Sequence, residues 1–318
     1  MTQAFAIASR TSPLALAQTH HVQACLGQAH QCDAEARFPV LGMTTTGDQI
    51  TDRALLAAGG KGLFTKELET ALLSGEARFA VHSMKDVPTQ LPDGLTIAAI
   101  LPREDPRDVL LTRDGVSRIE DLPEGAVLGT ASIRRQAQAL AIRPDLKITL
   151  LRGNVDTRLN KLKSGEMDAT FLARAGLNRL GRDEAQRTPL EVESVLPAPA
   201  QGCVGIEIRS DDQDARDLLA PIDDPFSAVA AYAERGFLRA LDGSCRTPIA
   251  AYARYENGML WLIGEALAPD GTARWRDEVK APLETADRER AAEIGFTLGQ
   301  SVKAAGGRAL AEIVQQTG

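Results

Sequence analysis

The sequence lacks the cysteine and histidine patterns that usually indicate a bound metal or a disulfide framework. Its 318 residues contain four cysteines and four histidines, with neither a C-x-x-C pair nor an H-E-x-x-H motif. We therefore expect no disulfide and no metal site. No apolar run approaches the ~20 residues that cross a bilayer, and the first ten residues do not resemble a signal peptide. These absences favour a cytoplasmic protein without a membrane partner.

The charge of the chain is unevenly distributed. The formal net charge is -7, which argues against general nucleic-acid binding. Between Thr130 and Lys163, however, eight basic residues stand against two acidic ones, a local balance of +6. A basic segment inside an acidic chain predicts a local anion-binding site.

Alternating strands and helices predict two α/β units. Ser12 and Pro13 supply the N-cap and first residue of an early helix. Two later helices begin near Ser132 and Asn154, and the strands around them suggest a parallel sheet. The predicted strands lie at 4–8, 34–40, 79–81, 95–101, 108–112, 126–130, 147–151, 168–172 and 204–208.

Two proline-containing segments, 102–108 and 197–202, indicate crossings between these units. The strand at 204–208 has no place left in the second unit, so we expect the chain to return to the first. The predicted first lobe comprises residues 1–101 and 203–221, and the second comprises 107–196. Two lobes joined by two crossings predict a hinged molecule with a ligand cleft between them.

From residue 225 the pattern changes to that of a smaller α+β domain, predicted over 225–318. Asn257-Gly258 is a strong hairpin signal, and Asp270-Gly271 predicts a second turn. A three-stranded antiparallel sheet and a helix at about 284–305 are expected there. The predicted fold class is therefore α/β, with two hinged lobes that resemble type II solute-binding proteins and a C-terminal α+β domain.

An ammonium and a carboxylate lie side by side in Ala80-Val81-His82-Ser83-Met84-Lys85-Asp86-Val87-Pro88. The apolar run before them predicts a buried strand, and Pro88 ends regular structure, which places Lys85 and Asp86 in the loop that leaves the strand. Ligands collect at such strand ends in open α/β sheets. The alternative is a solvated surface pair.

Arginines occupy the beginnings of two predicted helices. Arg134 and Arg135 follow the N-cap Ser132, and Arg152 and Arg158 flank the second helix start. Cations there oppose the helix dipole by roughly 0.3–1 kcal/mol each, whereas guanidiniums and free N–H groups together form a good anion receptor. Exposed arginines without a ligand are the alternative.

Cys245 lies in a short loop between Gly243 and Pro248, beside Arg246. A neighbouring arginine can lower the pKa of a thiol and raise its nucleophilicity. The alternative is an inert buried cysteine, which is the interpretation adopted for Cys25, Cys32 and Cys203.

Together these segments closely resemble the porphobilinogen deaminase (hydroxymethylbilane synthase) family. The similarity runs from about Ile7 to Leu267 and weakens over the last fifty residues. Five separated motifs carry it in matching order: Val81 to Pro88, Gly59 to Phe64, Arg103 to Asp108, Gly129 to Arg135 with Leu151 to Val155, and the Cys245 loop.

The resemblance implies a transferase of tetrapyrrole (porphyrin and heme) synthesis. Such an enzyme joins four porphobilinogen units head to tail, releases ammonia at each step and frees hydroxymethylbilane by hydrolysis. It implies a dipyrromethane cofactor attached to Cys245 through a thioether and Asp86 as the catalytic acid. The implied cofactor-binding residues also include Ser83, Lys85, Thr130, Ser132, Arg134 and Arg135. The implied residues for porphobilinogen and the growing polypyrrole chain are Arg10, Ser12, Gln18, Lys61, Arg152 and Arg158.

The residue chemistry suits such a reaction. Each pyrrole bears an acetate and a propionate, so the growing chain gathers negative charge that the arginines can bind. Loss of ammonia leaves a cation that Asp86 can stabilise, while Lys85 keeps Asp86 ionised. A Cys245 thiolate can capture the same electrophile as a thioether. We expect a monomer.

Departures from the family pattern occur at Thr46, Ala131, Arg174, Ala200 and Ser244. Two other classes share parts of the pattern. A two-lobed solute receptor would have the arginine-lined cleft but would need neither Asp86 nor Cys245, and a regulatory effector domain would be expected to have a helix-turn-helix module.

Overall fold

The computed structural model describes residues 4–49, 62–241 and 247–317, and its first part builds one α/β unit. The strands are β1 (Ile7–Arg10), β2 (Val40–Met43), β3 (Phe79–Ser83) and β4 (Leu95–Ile100). The helices are α1 (Pro13–Ala29), α2 (Ala34–Arg37), α3 (Thr46–Gln49) and α4 (Lys66–Ser74). Strand β1 pairs in parallel with both β2 and β3.

The predicted start of α1 is confirmed. The Ser12 hydroxyl accepts a hydrogen bond from the Ala15 amide at 3.4 Å, and Pro13 is the first helical residue. The predicted strand at 34–40 is wrong, because the Asp33 carboxylate caps a short helix by accepting from the amides of Glu35 and Ala36. Strand β2 begins only at Val40, opposite Ile7.

The second unit contains β5 (Asp108–Thr112), β6 (Val127–Gly129), β7 (Lys147–Thr149) and β8 (Ala169–Ala173). Its helices are α5 (Ile133–Ile142), α6 (Val155–Lys163) and α7 (Arg174–Arg179). The strand order is β5-β8-β6-β7. Although β6 is parallel to its neighbours, β5 is antiparallel to β8, so the expectation of a parallel sheet is only partly correct.

After the second crossing the chain returns to the first sheet, as predicted. Strand β9 (Val204–Arg209) lies between β3 and β4 and is antiparallel to both, which gives the order β2-β1-β3-β9-β4. Helix α8 (Gln213–Leu219) follows. Buried Phe38 and Phe79 belong to the core of this unit, whereas Phe171 belongs to that of the second.

The remaining chain forms helix α9 (Pro225–Ala240), strands β10 (Ile249–Glu256), β11 (Met259–Leu267) and β12 (Arg274–Pro282), and helix α10 (Arg288–Thr317). The strands form an antiparallel meander, and Asn257 and Gly258 both have the positive φ of a two-residue hairpin. Helix α10 is longer than predicted and is interrupted at Gly307.

A single carboxylate on α9 joins both crossings. Glu234 is fully buried and forms an ion pair with Arg103 at 2.6 Å. The Arg103 Nε atom also donates to the Gln201 carbonyl at 2.9 Å, and Glu234 accepts from the Ala200 and Ala253 amides. The C-terminal part of the chain therefore fixes the two segments between the α/β units.

Candidate active site

The segment that carries Lys85 and Asp86 leaves β3 as a 3-10 turn over Met84–Asp86. Met84 is buried, and its amide donates to the Cys203 carbonyl at 3.0 Å. On the far side, the Arg235 guanidinium donates to the carbonyls of Val87 and Pro88 at 2.9 and 2.6 Å. Lys85 and Asp86 are therefore exposed on a segment whose neighbouring residues are fixed by hydrogen bonds to Cys203 and Arg235.

A small cavity of about 70 Å³ opens beside Asp86. It brings together six of the residues predicted to bind cofactor or substrate: Arg10, Ser12, Gln18, Ser83, Lys85 and Asp86. The ends of β1 and β3 and the beginning of α1 meet here, so residues far apart in sequence share one surface. Gln18 and Ser83 exchange hydrogen bonds of 2.8 and 3.1 Å across it.

Arg10 is the cation on the first side of this cavity. It forms an ion pair with Asp48, and its guanidinium lies 4.3 Å from the centre of the Phe64 ring. Burial works against the charge of Arg10, but Asp48 and the more distant Asp86 raise its pKa overall. No role was predicted for Asp48, or for Phe64 beyond its place at the end of the Gly59 to Phe64 motif, since neither residue type is distinctive alone.

Lys85 presents an exposed surface to the cleft, yet protein atoms surround its ammonium group. Removal of water by these atoms lowers the pKa of Lys85 to about 8, with Asp86 opposing the shift and Arg135 adding to it. The Lys85 Nζ atom lies 3.4 Å from Gln201 Oε1. Within the described residues no hydrogen bond reaches the Asp86 carboxylate, which leaves its oxygens open to a ligand.

At the start of α5, the arginines predicted to receive an anion also have a partner within the protein. Ser132 is the N-cap, as predicted, and Thr130 accepts from the Ser132 amide at 3.0 Å. Arg134 and Arg135, however, are 5% and 7% exposed, and both form ion pairs with Asp108, at 2.8 and 2.7 Å. Their guanidiniums already have a carboxylate partner.

The sequence analysis did not predict the role of Asp108, because neither its place at the end of the Arg103 to Asp108 motif nor its place at the start of a strand indicates a partner for buried arginines. Its carboxylate is fully buried. Burial opposes ionisation, but Arg135 and Arg134 outweigh it and hold the pKa of Asp108 well below its usual range. Gln201 Nε2 donates to Asp108 at 2.9 Å, so Gln201 connects Lys85 of the first unit to the arginine pair of the second.

The start of α6 is more open. Asn154 caps the helix by accepting from the Thr157 amide at 2.9 Å, and Arg158 is half-buried with its Nε atom donating to the Gly153 carbonyl. Burial, Arg135 and Arg152 lower the pKa of Arg158 to about 10, while Asp86 opposes the shift. The cations from both units therefore act on one another and on Asp86.

Two predicted residues, Lys61 and Cys245, lie outside the described residues, as does Ser244. Among the described cysteines, Cys203 is buried, and burial raises the pKa of its thiol to about 11, which suits a packing role. Within ranges 4–49, 62–241 and 247–317, no group of histidine, cysteine and acidic side chains has the arrangement of a metal site. No described helix is long and apolar enough to span a membrane.

Three of the departures have structural counterparts. Thr46 donates through its hydroxyl to Glu67 at 2.7 Å, Ala200 has a left-handed φ of 59°, and Arg174 lies 3.5 Å from Asp105 on the first crossing. Ala131 is exposed, and nothing in the structure explains it.

The Asp86 carboxylate shares its cavity with Arg10 and Lys85 and interacts electrostatically with Arg158 of the second unit, which suits an enzyme cleft for an anionic substrate. The family model "porphobilinogen deaminase, dipyromethane cofactor binding domain" matches residues 5–217, and the C-terminal domain model of the same family matches 228–304. The chain belongs to the porphobilinogen deaminase family.

Two relatives illustrate the similarity. The porphobilinogen deaminase of Phenylobacterium zucineum is 49% identical over 312 residues, which cover 96% of this chain and 97% of the relative. That of Caulobacter vibrioides is 50% identical over 312 residues, which cover 96% of each. Among solved structures, the periplasmic VFT2 domain of Bordetella pertussis BvgS matches 70% of this chain and 86% of its own, with 16% identity and a TM-score of 0.41.

The enzyme is therefore a transferase of tetrapyrrole synthesis that acts on porphobilinogen and uses a dipyrromethane cofactor. The described residues fit that group. The cations around Asp86 suit its acetate and propionate groups, and the open Asp86 carboxylate suits its pyrrole N–H donors.

Proposed function

We propose that Asp86 is the catalytic residue of this cleft and that the predicted cations around it hold the carboxylates of cofactor and substrate. The observation that carries this proposal is the position of the Asp86 carboxylate, which shares a cavity with Arg10 and Lys85 and is also coupled electrostatically to Arg158. Its oxygens accept no hydrogen bond from a described residue. It can therefore act where positive charge develops.

The chemistry needs such a group at two moments. When the aminomethyl C–N bond of porphobilinogen breaks, ammonia departs and a methylene-pyrrole cation remains. Asp86 would accept a hydrogen bond from the pyrrole N–H group and stabilise that cation. After the new C–C bond forms, the ring that attacked must lose a proton, and Asp86 is the open base in the cavity. When bound, the dipyrromethane supplies the first pyrrole carbon that attacks.

Positioning of the reacting rings falls to the other residues. Lys85, Ser83, Thr130, Ser132, Arg134 and Arg135 would hold the dipyrromethane attached to Cys245, and Arg10, Ser12, Gln18, Lys61, Arg152 and Arg158 would bind substrate and chain. Asp108 balances one of the two positive charges of Arg134 and Arg135, so the pair would keep one net positive charge to attract a cofactor carboxylate.

We also propose three domains from the positions of the two crossings. Their limits are 1–101 with 203–221, 107–196, and 225–318. The separate buried cores and the two segments held by Glu234 support them. Cytoplasmic location and a monomeric state are likewise proposed from the sequence.

Incubation of the purified protein with porphobilinogen tests the function. We expect four ammonia molecules released for each hydroxymethylbilane formed. Release of ammonia without a linear tetrapyrrole, or no consumption of porphobilinogen, would contradict the proposal.

A further inference from the structure

A second and larger cavity lies between the first α/β unit and the C-terminal helices. It has a volume of about 410 Å³ and is lined by Thr89 and residues 91–97 on one side and by α9 and Ala292 of α10 on the other. Small-molecule sites usually have volumes of about 300–1,000 Å³. This cavity lies within that range, whereas the cavity beside Asp86 is much smaller.

The lining combines positive charge with hydroxyl groups. Arg235 and Arg239 project from α9, and Thr89, Thr96 and Tyr232 add hydroxyls. Arg239 stacks on Phe296 at 5.2 Å. In the described part of the chain, no carboxylate lies within ion-pair distance of Arg235 or Arg239, and Asp93 is the acidic residue that lines the cavity.

Arg235 is partly desolvated, and no described carboxylate lies within ion-pair distance of it, although Glu207 attracts it from farther away. Its two hydrogen bonds go to the carbonyls of Val87 and Pro88, and burial lowers the pKa of the guanidinium. A guanidinium has five N–H donors, so three remain after these two bonds. An oxyanion in the cavity would accept from them and restore the solvation that burial removes.

We propose that this cavity is a second anion-binding site, separate from the catalytic cleft, that takes a small organic carboxylate or phosphate ester. Arg239 and the free donors of Arg235 bind the oxyanion, and the threonine and tyrosine hydroxyls contact the body of the ligand. Because Arg235 also holds the carbonyls directly after Asp86, a bound anion fixes the guanidinium and makes the 84–88 segment more rigid.

Titration calorimetry on the holoenzyme tests the site, with inorganic phosphate and succinate as probes at an ionic strength held constant with chloride. Arg239→Gln should weaken binding of at least one probe on the order of tenfold, through loss of one charge-assisted contact. Arg254→Gln is the matched control, since Arg254 also stacks on an aromatic ring, Trp261, at 4.8 Å, but does not line the cavity. A preference for phosphate or succinate distinguishes the two ligand classes.

Hydrogen exchange tests the link to Asp86. The amides of Met84 and Val87 both donate hydrogen bonds that hold the 84–88 segment in place. The bound probe should slow the exchange of these two amides in the wild type and in Arg254→Gln, but not in Arg239→Gln. Two results would overturn the proposal. The first is that neither probe binds. The second is that Arg152→Gln abolishes binding while Arg239→Gln leaves it intact, because the anion would then lie in the catalytic cleft. Neither result depends on catalytic turnover.

Discussion

The two walls of the cleft are formed by the first and the second α/β unit, and they use the same kinds of charged residue in opposite ways. On the first wall, Asp86 and Lys85 are exposed, and the carboxylate receives no hydrogen bond from a described residue. On the second wall, Asp108 is fully buried and binds Arg134 and Arg135 through both its oxygens. The carboxylate of the first wall is open to a ligand, whereas that of the second wall is already bound by two arginines.

Whether a carboxylate stabilises the fold or serves a ligand depends on its burial and on whether it already has an ion-pair partner. A buried ion pair gains from attraction in a medium of low polarity, but removal of one partner leaves an uncompensated buried charge. An exposed carboxylate costs little to maintain and can be used by a ligand. The comparison therefore predicts that loss of Asp108 damages the fold, while loss of Asp86 damages the reaction.

The largest effect is expected for Asp108→Asn. It removes the carboxylate from two buried guanidiniums, and breaking such a pair costs about 3–5 kcal/mol. The free energy of unfolding in urea measures the loss. Glu293→Gln, which removes the partner of Arg290 in an exposed pair on α10, should leave the transition midpoint unchanged. A stable Asp108→Asn protein would remove the distinction between the walls.

Asp86→Asn should leave the unfolding transition and the attached cofactor intact but reduce turnover by on the order of a hundredfold or more, because a group that stabilises developing charge is lost. Single-turnover release of ammonia measures this step. Asp211→Asn is the control, since Asp211 is exposed on a turn outside the cavity. Near-normal turnover in Asp86→Asn would end its catalytic role.

A smaller effect is expected from the loss of the Lys85 proton at alkaline pH. Since the surrounding protein lowers its pKa to about 8, Lys85 loses its proton as the pH rises through that value, and a cofactor carboxylate loses its cationic partner. We expect apoprotein to acquire the dipyrromethane more slowly above pH 8, and Lys85→Arg to retain the rate at higher pH. Lys147→Arg, at an exposed lysine, should behave as wild type.

The sign of the associated stability change can also be checked. The pKa of Lys85 in the folded protein lies below its usual value of 10.5, so the unfolded chain binds more protons between about pH 8 and 10.5. The ligand-free protein should therefore gain stability from this group as the pH rises through that window. An identical pH profile for Lys85→Arg would contradict the assignment.

The smallest effect on stability is expected at Ala200, in the second crossing between the two α/β units. Ala200 has a φ of 59°, and a left-handed conformation costs a residue with Cβ roughly 1–2 kcal/mol. Ala200→Gly should therefore raise the free energy of unfolding by about 0.5–1 kcal/mol after the greater entropy of the unfolded glycine chain is included. Gly202→Ala should have the opposite effect, since a Cβ there would lie 2.3 Å from the Glu104 carbonyl oxygen. Equal signs would refute the strain argument.

Local signals predicted much of this structure. Ser12, Ser132 and Asn154 begin their helices as capping chemistry requires, and the Asn257-Gly258 turn forms the expected hairpin. The segment at 34–40 failed because its alternation imitates a strand, while a single Asp33 side chain stabilises a helical turn. Such local competition is not visible in hydrophobic periodicity.

The site was predictable where its residues form distinctive motifs and not where they act through distant contacts. Asp86 and Lys85 could be located from a strand end and a proline. The pairing of Asp108 with Arg134 and Arg135, and the link through Gln201, join residues 26 to 116 positions apart. No local pattern specifies such long-range contacts, so the sequence indicated free guanidiniums where the fold supplies a buried partner.

The central proposal is that the cleft holds a dipyrromethane, attached through Cys245, on which Asp86 acts. Intact mass spectrometry of the purified active protein tests it most directly. We predict a mass above that of the chain by two linked pyrroles, and no such excess in Cys245→Ser. An unmodified mass in a fully active preparation would contradict the account.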